Sequence, residues 1–256
     1  MKKMLIAGNW KMNTNAYEAG KLAETIVSRA TGKKWDVSVL ICPPYINIPV
    51  ITVIIKGTKV LLGAQNCSHI PSGAFTGEIS IPMLQYYGCN YVIIGHSERR
   101  QFFHETDDGV NEKLIALLNA GVNAIVCIGE TLDERQGGKT FEVLERQIME
   151  GLKNVSRVFA EKIVIAYEPV WAIGTGVSSE PHQVQEAHAF IRKLLTDLFG
   201  DTAKDMIIQY GGSVNEKNAL AILELQDVNG ALIGGASLKP DSFLSIIETA
   251  QDIVSS

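Results

Sequence analysis

Ile163-Val164-Ile165-Ala166-Tyr167-Glu168-Pro169-Val170-Trp171-Ala172-Ile173-Gly174-Thr175-Gly176 is the stretch that sets the architecture. Its first part, Ile163–Ala166, is apolar, largely β-branched and free of polar alternation, as in a strand covered on both faces. Glu168 arrives at the C-terminal end of that strand. Pro169 then stops it, because proline has no N–H for a ladder. A glycine-rich loop follows. A carboxylate so placed is a candidate general base beneath a loop able to close over it.

The same kind of run recurs along the whole chain: Met4–Gly8, Val37–Cys42, Val60–Ala64, Tyr91–Ile94, Val122–Ile128, Met206–Gln209 and Ala231–Ile233. Helical spacing lies between the runs. Ala16–Ala30 puts Ala19, Leu22, Ala23, Ile26 and Val27 on one face, and Asp107–Ala120 follows Thr106 as N-cap. Pro181 opens a further helix with Val184, Ala187, His188 and Ile191 inward. Asn215–Leu225 and Pro240–Ile253 are read as the last two helices. His188 is read as a packed or surface residue, not a catalytic one.

Strand and helix alternate without a linker, which predicts one α/β domain over 1–256: a closed (β/α)8 barrel with eight parallel strands. A doubly wound open sheet is the rival. It would carry a glycine-rich first turn for a dinucleotide, whereas the first turn here is Asn9-Trp10-Lys11. Gly174-Thr175-Gly176 lacks the third glycine, since position 179 is Ser, and Gly138-Lys139-Thr140 lacks the leading glycine of a P-loop, since position 133 is Asp.

With 46% hydrophobic and 20% charged residues in 256, the chain has the composition of a globular protein with a large core. A net charge of −5, with basic runs no longer than pairs, argues against nucleic acid as a partner. No apolar stretch reaches membrane-spanning length, so no membrane partner is expected. The opening Lys2-Lys3 and Met4–Ala7 is too short for a signal core, and Lys11 interrupts any extension. Cys42, Cys67, Cys89 and Cys127 form no C-x-x-C pair and sit in or beside apolar runs. Buried, reduced thiols in a cytoplasmic protein are the expectation.

In a parallel barrel every strand ends on one face, where active sites of this architecture sit. Asn9 and Lys11 follow the first strand, His96 the fourth and Glu168 the sixth. Gly211-Gly212-Ser213 follows the seventh, and Gly234-Gly235 the eighth. The two glycine pairs favour phosphate, since glycine lets backbone N–H groups approach an anion and a following helix N-terminus would add partial positive charge. Ser213 can add its hydroxyl, and Gly174 its amide from the loop.

These residues carry a resemblance. Gly8-Asn9-Trp10-Lys11-Met12-Asn13, Ile94-Gly95-His96-Ser97-Glu98-Arg99-Arg100, Ala166 through Gly176, Tyr210-Gly211-Gly212-Ser213-Val214 and Gly234-Gly235-Ala236-Ser237-Leu238 together resemble the triosephosphate isomerase family. The likeness runs through essentially the whole chain, in the right order and spacing. It implies interconversion of dihydroxyacetone phosphate and glyceraldehyde 3-phosphate through an enediol(ate), in glycolysis and gluconeogenesis, with no cofactor and no metal. On the matching positions it implies Lys11, His96 and Glu168 as catalytic residues. It further implies Asn9, Lys11, Gly174, Ser213, Gly234 and Gly235 as substrate-binding, with Ser97 and Glu98 in support. A neutral His96 held beside a helix that starts at Ser97 is likewise taken from the family, not from the spacing. Arg99 and Arg100 are expected in structural ion pairs.

The resemblance also makes Pro169–Val177 a closing lid. Here the chain departs from the pattern, with Val177-Ser178-Ser179 where the family often has a Lys-Thr-Ala-like hinge. The long segment Gln65–Ile79 is expected to be functional. By resemblance, its stretch Gly73–Glu78 reaches into a second subunit of a homodimer, with Thr76 near that subunit's site. Two rival functions remain. A Schiff-base lyase needs a desolvated lysine, and the only well-placed lysine is Lys11. A non-enzymatic binding barrel would be expected to have lost a chemical residue, and none is missing.

Overall fold

The computed structural model describes residues 2–173 and 179–255. Eight strands, β1 (Leu5–Asn9), β2 (Ser38–Cys42), β3 (Val60–Ala64), β4 (Tyr91–Ile94), β5 (Asn123–Ile128), β6 (Ile163–Tyr167), β7 (Ile207–Tyr210) and β8 (Gly230–Ile233), pair in chain order into a closed barrel. All pairings are parallel, and Leu5–Gly8 of β1 closes on Gly230–Ile233 of β8. Around them run α1 (Ala16–Ala30), α2 (Ile48–Ile55), α3 (Ile81–Tyr86), α4 (Ser97–Phe103) and α5 (Asp107–Asn119). They continue with α6 (Leu132–Gln136), α7 (Thr140–Gly151), α8 (Pro181–Phe199), α9 (Ala219–Leu223) and α10 (Pro240–Ser255).

The absence of polar alternation in the strands now has its cause. Leu5, Ala7, Leu40, Cys42, Ile93, Ile125, Cys127, Val164, Ala166 and Leu232 fill the barrel interior. Their neighbours, such as Ile6, Ile41, Val92, Val126, Ile165 and Ile233, face the helices in a second apolar layer. Successive side chains point to opposite faces, and both faces are dry. Gln209 of β7 is one of the fully buried polar residues, donating from Nε2 to the Leu5 carbonyl at 2.9 Å. All four cysteines are buried free thiols, as expected.

One helix expectation needs correction. Asn215–Leu225 is helical only over Ala219–Leu223. Asn218 receives the Asn215 amide on its side chain and donates back to the Ser213 carbonyl, so polar turn chemistry delays the helix. The helix expected over Pro240–Ile253 is present as Pro240–Ser255, and a 3-10 turn, Gly235–Leu238, follows the second glycine pair directly.

His188 is packed, as expected. It is wholly buried on α8, its Nδ1–H donates to the Asp227 carbonyl at 3.1 Å, and its ring stands edge-on to Tyr167. Burial pushes this imidazole down to about 4. An unfolded histidine takes up its proton near pH 6.5 (roughly), so between these values the unfolded chain binds the extra proton. The native state then loses stability as the pH falls, by about 3 kcal/mol on completion. Urea unfolding at pH values from neutral to 4 should show that loss, and His188→Gln should remove this component of the acid slope. The same slope in the variant would refute the assignment.

Candidate active site

Glu168 follows β6 and is 2% exposed. Its backbone N–H donates to the Ile128 carbonyl at 2.7 Å, continuing the β5–β6 ladder one residue beyond the strand. The turn of chain is tight. A Cβ on Gly129 would overlap the Glu168 carbonyl, and one on Gly211 would lie 2.8 Å from Glu168 Cγ. Glycine at both positions is what lets the carboxylate sit between strand ends. One oxygen of Glu168, Oε2, accepts the Ser97 amide at 2.9 Å, and Oε1 meets His96 Nε2 at 2.9 Å.

His96 caps the N-terminus of α4. Its Nδ1 accepts the Glu98 amide at 3.2 Å, so the proton of the neutral ring lies on Nε2 and points at Glu168. Burial opposes charge on both partners. Their mutual contact prevails, lifting His96 above its ordinary value and holding Glu168 below the usual carboxylate range, helped there by the Ser97 amide. Once Glu168 moves away, burial and Lys11 act to lower His96, leaving only the more distant Glu98 to raise it.

Lys11 reaches the same cavity from the loop after β1. Its Nζ donates to Glu98 Oε1 at 2.5 Å, and its backbone has φ +52°, a left-handed conformation that is rare for a side-chain-bearing residue. Two contacts over-determine that conformation. Asn9 Oδ1 accepts the Lys11 amide at 3.1 Å, and Gln65 Nε2 donates to the carbonyls of Lys11 and Cys42, each at 2.9 Å. Gln65 was not among the site residues expected from sequence. Its only signal there is position, a polar residue immediately after β3.

A cavity of about 950 Å3 opens at this end of the barrel. Asn9, Lys11, His96, Glu168, Ser213, Gly234 and Gly235 all line it. The sequence-predicted residues that fall among those described therefore do come together. Ser97 and Glu98 stand behind the histidine, as the contacts above show. Gly174 lies outside the described residues, as do Val177 and Ser178 of the hinge; Ser179 is buried. The glycine turn after β8 is braced by Ser237, whose hydroxyl donates to the Gly234 carbonyl at 2.6 Å.

Glu130 is a second residue the sequence did not single out. Fully buried just after β5, it accepts from Tyr167 Oη, Trp171 Nε1 (2.9 Å) and the Arg135 guanidinium (3.3 Å). It ties the start of the glycine-rich loop to the barrel. An acid directly behind a strand end is a legible cue, but its partners are 37 and 41 positions away. Arg99 and Arg100 pair with Glu105 and Asp107, structural roles as expected.

Comparison with known proteins gives a consistent result. The family model described as Triosephosphate isomerase matches residues 4–250. A triosephosphate isomerase of Endomicrobium trichonymphae is 46% identical over 248 residues, covering 97% of this chain and 99% of the relative. One of Fusobacterium nucleatum subsp. nucleatum is 47% identical over 249 residues, with 97% and 99% covered. One of Moorella thermoacetica is 47% identical over 251 residues, with 98% and 100% covered.

The Gln65 clamp makes a kinetic prediction. Gln65→Leu removes both donated hydrogen bonds and frees Lys11 to leave its strained backbone, a state worth about 1–3 kcal/mol. Steady-state assays of the isomerisation should show kcat/KM down about tenfold or more, with the fold retained by circular dichroism. Unchanged kinetics would show that Lys11 needs no clamp.

Proposed function

The chain belongs to the triosephosphate isomerase family, and on that premise we propose how its own residues interconvert dihydroxyacetone phosphate and D-glyceraldehyde 3-phosphate, a step of glycolysis and gluconeogenesis. The observation that carries the reading is the pairing of a buried carboxylate with a histidine whose proton sits on Nε2, beside a lysine in the same cavity.

Substrate binds with its phosphate at the amides of Gly234 and Gly235 and the Ser213 hydroxyl, joined by Gly174 from the lid. Glu168 exchanges its contacts to Ser97 and His96 for the substrate carbon. Its carboxylate takes the proton from that carbon, and the electron pair moves into the new carbon–carbon double bond as the carbonyl oxygen becomes enediolate. His96 Nε2–H supports that oxygen and manages its proton, while Lys11 and Asn9 stabilise the developing charge. Donors of this kind are worth about 3–4 kcal/mol each in other enzymes. Glu168 then returns the proton to the neighbouring carbon. The lid Pro169–Val177 excludes water and limits loss of phosphate. The proton shuttle needs no cofactor or metal, and the whole chain 1–256 acts as one catalytic domain.

We further propose a homodimer. Residues 71–78, including Thr76, are all exposed on the isolated chain, and Phe75, Met12 and Phe102 are 51%, 96% and 63% exposed. Large apolar side chains left this exposed, one of them on a fully exposed loop, suit a self-complementary twofold interface. No described helix is long and apolar enough to cross a membrane; the site of action is proposed to be the cytoplasm.

A coupled isomerase assay with glyceraldehyde 3-phosphate tests the reaction. Wild-type turnover should be fast. Glu168→Asp, which retracts the carboxylate by one methylene, should lower kcat by about 10²-fold or more. No activity in folded wild type would overturn the proposed function. Sedimentation equilibrium tests the assembly: the expected mass is twice that of the chain, and Thr76→Arg with Phe75→Ser should shift it towards one chain while reducing activity. A monomeric wild type at micromolar concentration would sink the dimer.

A further inference from the structure

A second cavity lies at the opposite end of the barrel, where the strands begin. It has a volume of about 230 Å3. Its floor is made by Val37 and Val39 of the β2 entry and Val60 of the β3 entry, each no more than 6% exposed. Val27 and Ala30 at the end of α1 form one wall, and the half-buried Trp35 indole forms part of the lining. Two turns border the gap, at Gly32 (φ +83°) and Gly57 (φ +78°), each in the left-handed backbone region that favours glycine.

The charged residues of its lining are both lysines. Lys33 and Lys59 line the cavity and no acidic residue does. Lys33 lies 5.7 Å from the Trp35 ring centroid and pairs with Glu248 outside the cavity. Lys59 forms no ion pair among the described residues. On a chain of net charge −5, an apolar recess lined by Lys59, a cation with no ion-pair partner among the described residues, selects for an occupant with an apolar body and one negative end. The volume falls below the range of about 300–1,000 Å3 usual for drug-sized ligands, which limits that occupant to a single ring or a short branched chain.

We propose that this cavity is a binding site for small apolar carboxylates. The hydrocarbon body packs on the valine floor and against Trp35, while the carboxylate engages Lys59 and, beside it, Lys33. The site lies on the far side of the barrel core from Glu168 and His96, so occupancy does not compete with triose phosphate. It acts by binding the folded chain alone, raising stability with ligand concentration. The inference is independent of the reaction proposed above.

Calorimetric titration of the full-length protein with para-isopropylbenzoate tests it, in buffer saturated with inorganic phosphate so that the cradle at Gly234 and Gly235 is occupied. Saturable one-site binding is expected. The uncharged para-isopropylbenzamide should bind about tenfold more weakly, and Lys59→Gln, an exposed substitution that leaves the fold and turnover unchanged, should weaken the carboxylate about tenfold. Ala30→Leu, which fills the recess, should abolish binding. The proposal is overturned by no saturable binding up to about 10 mM, by equal affinity for acid and amide, by affinity insensitive to Lys59→Gln, or by a rise in substrate KM when the probe is added.

Discussion

The structure turns on a negative charge held almost entirely out of water. Moving a carboxylate into a protein interior costs several kcal/mol unless donors replace its hydration. Glu168 receives such donors from two residues adjacent in sequence, the Ser97 amide and His96 Nε2. Neither belongs to its own strand. Both stand at the end of β4 and the start of α4, two strands round the barrel. The arrangement exists only because the barrel closes with every strand end on the same side. The contacts that make the buried charge tolerable also make it a weaker base. In the proposed reaction they are exchanged for substrate, which leaves a desolvated carboxylate against a carbon-bound proton.

His96 is bound by the same logic from the other direction. Beside Glu168 it is drawn towards the charged form, yet the Glu98 amide aimed at Nδ1 favours the neutral ring. A neutral imidazole with its proton on Nε2 is a hydrogen-bond donor suited to an oxygen gaining charge. In the proposed reaction the full positive charge comes instead from Lys11, whose Nζ donates to Glu98. On that proposal, proton donation and charge compensation fall on different side chains.

Much of this was legible in the sequence, for a definable reason. Strands dry on both faces leave apolar runs that a one-dimensional reading detects, and residues placed just after such runs must share a face. Glu168, His96, Lys11, Asn9 and the glycine pairs were found that way. Contacts that depend on three-dimensional closure were not. Gln65 is an ordinary amide until β3 lies beside β2 and its Nε2 meets two carbonyls. Glu130 gains its meaning from Tyr167 and Trp171. Helix α2, Ile48-Pro49-Val50-Ile51-Thr52-Val53-Ile54-Ile55, escaped because an uninterrupted apolar, β-branched run shows no 3.6-residue period. Tertiary packing of Ile48 and Ile51 overrides its strand-like composition.

Left-handed backbone falls largely to glycine at both ends of the barrel, Gly95 after β4 among them, and the exceptions separate stability from chemistry. At the strand-entry end, left-handed turns are given to residues that adopt them at little cost, as at Gly32, Gly57 and Asn154. At the strand-exit end, Lys11 and Thr14 take positive φ while keeping their side chains. Glycine would relieve the strain at position 11 but would remove the ammonium group from the cavity. The strain is therefore retained and held by neighbours: Gln65 and Asn9 for Lys11, and Asn47, whose Nδ2 donates to the Thr14 carbonyl at 3.0 Å. Strain that persists only because surrounding contacts over-determine it marks positions where geometry is worth more than stability. Two such positions, Lys11 and Thr14, lie along the loop that carries the positive charge to the site.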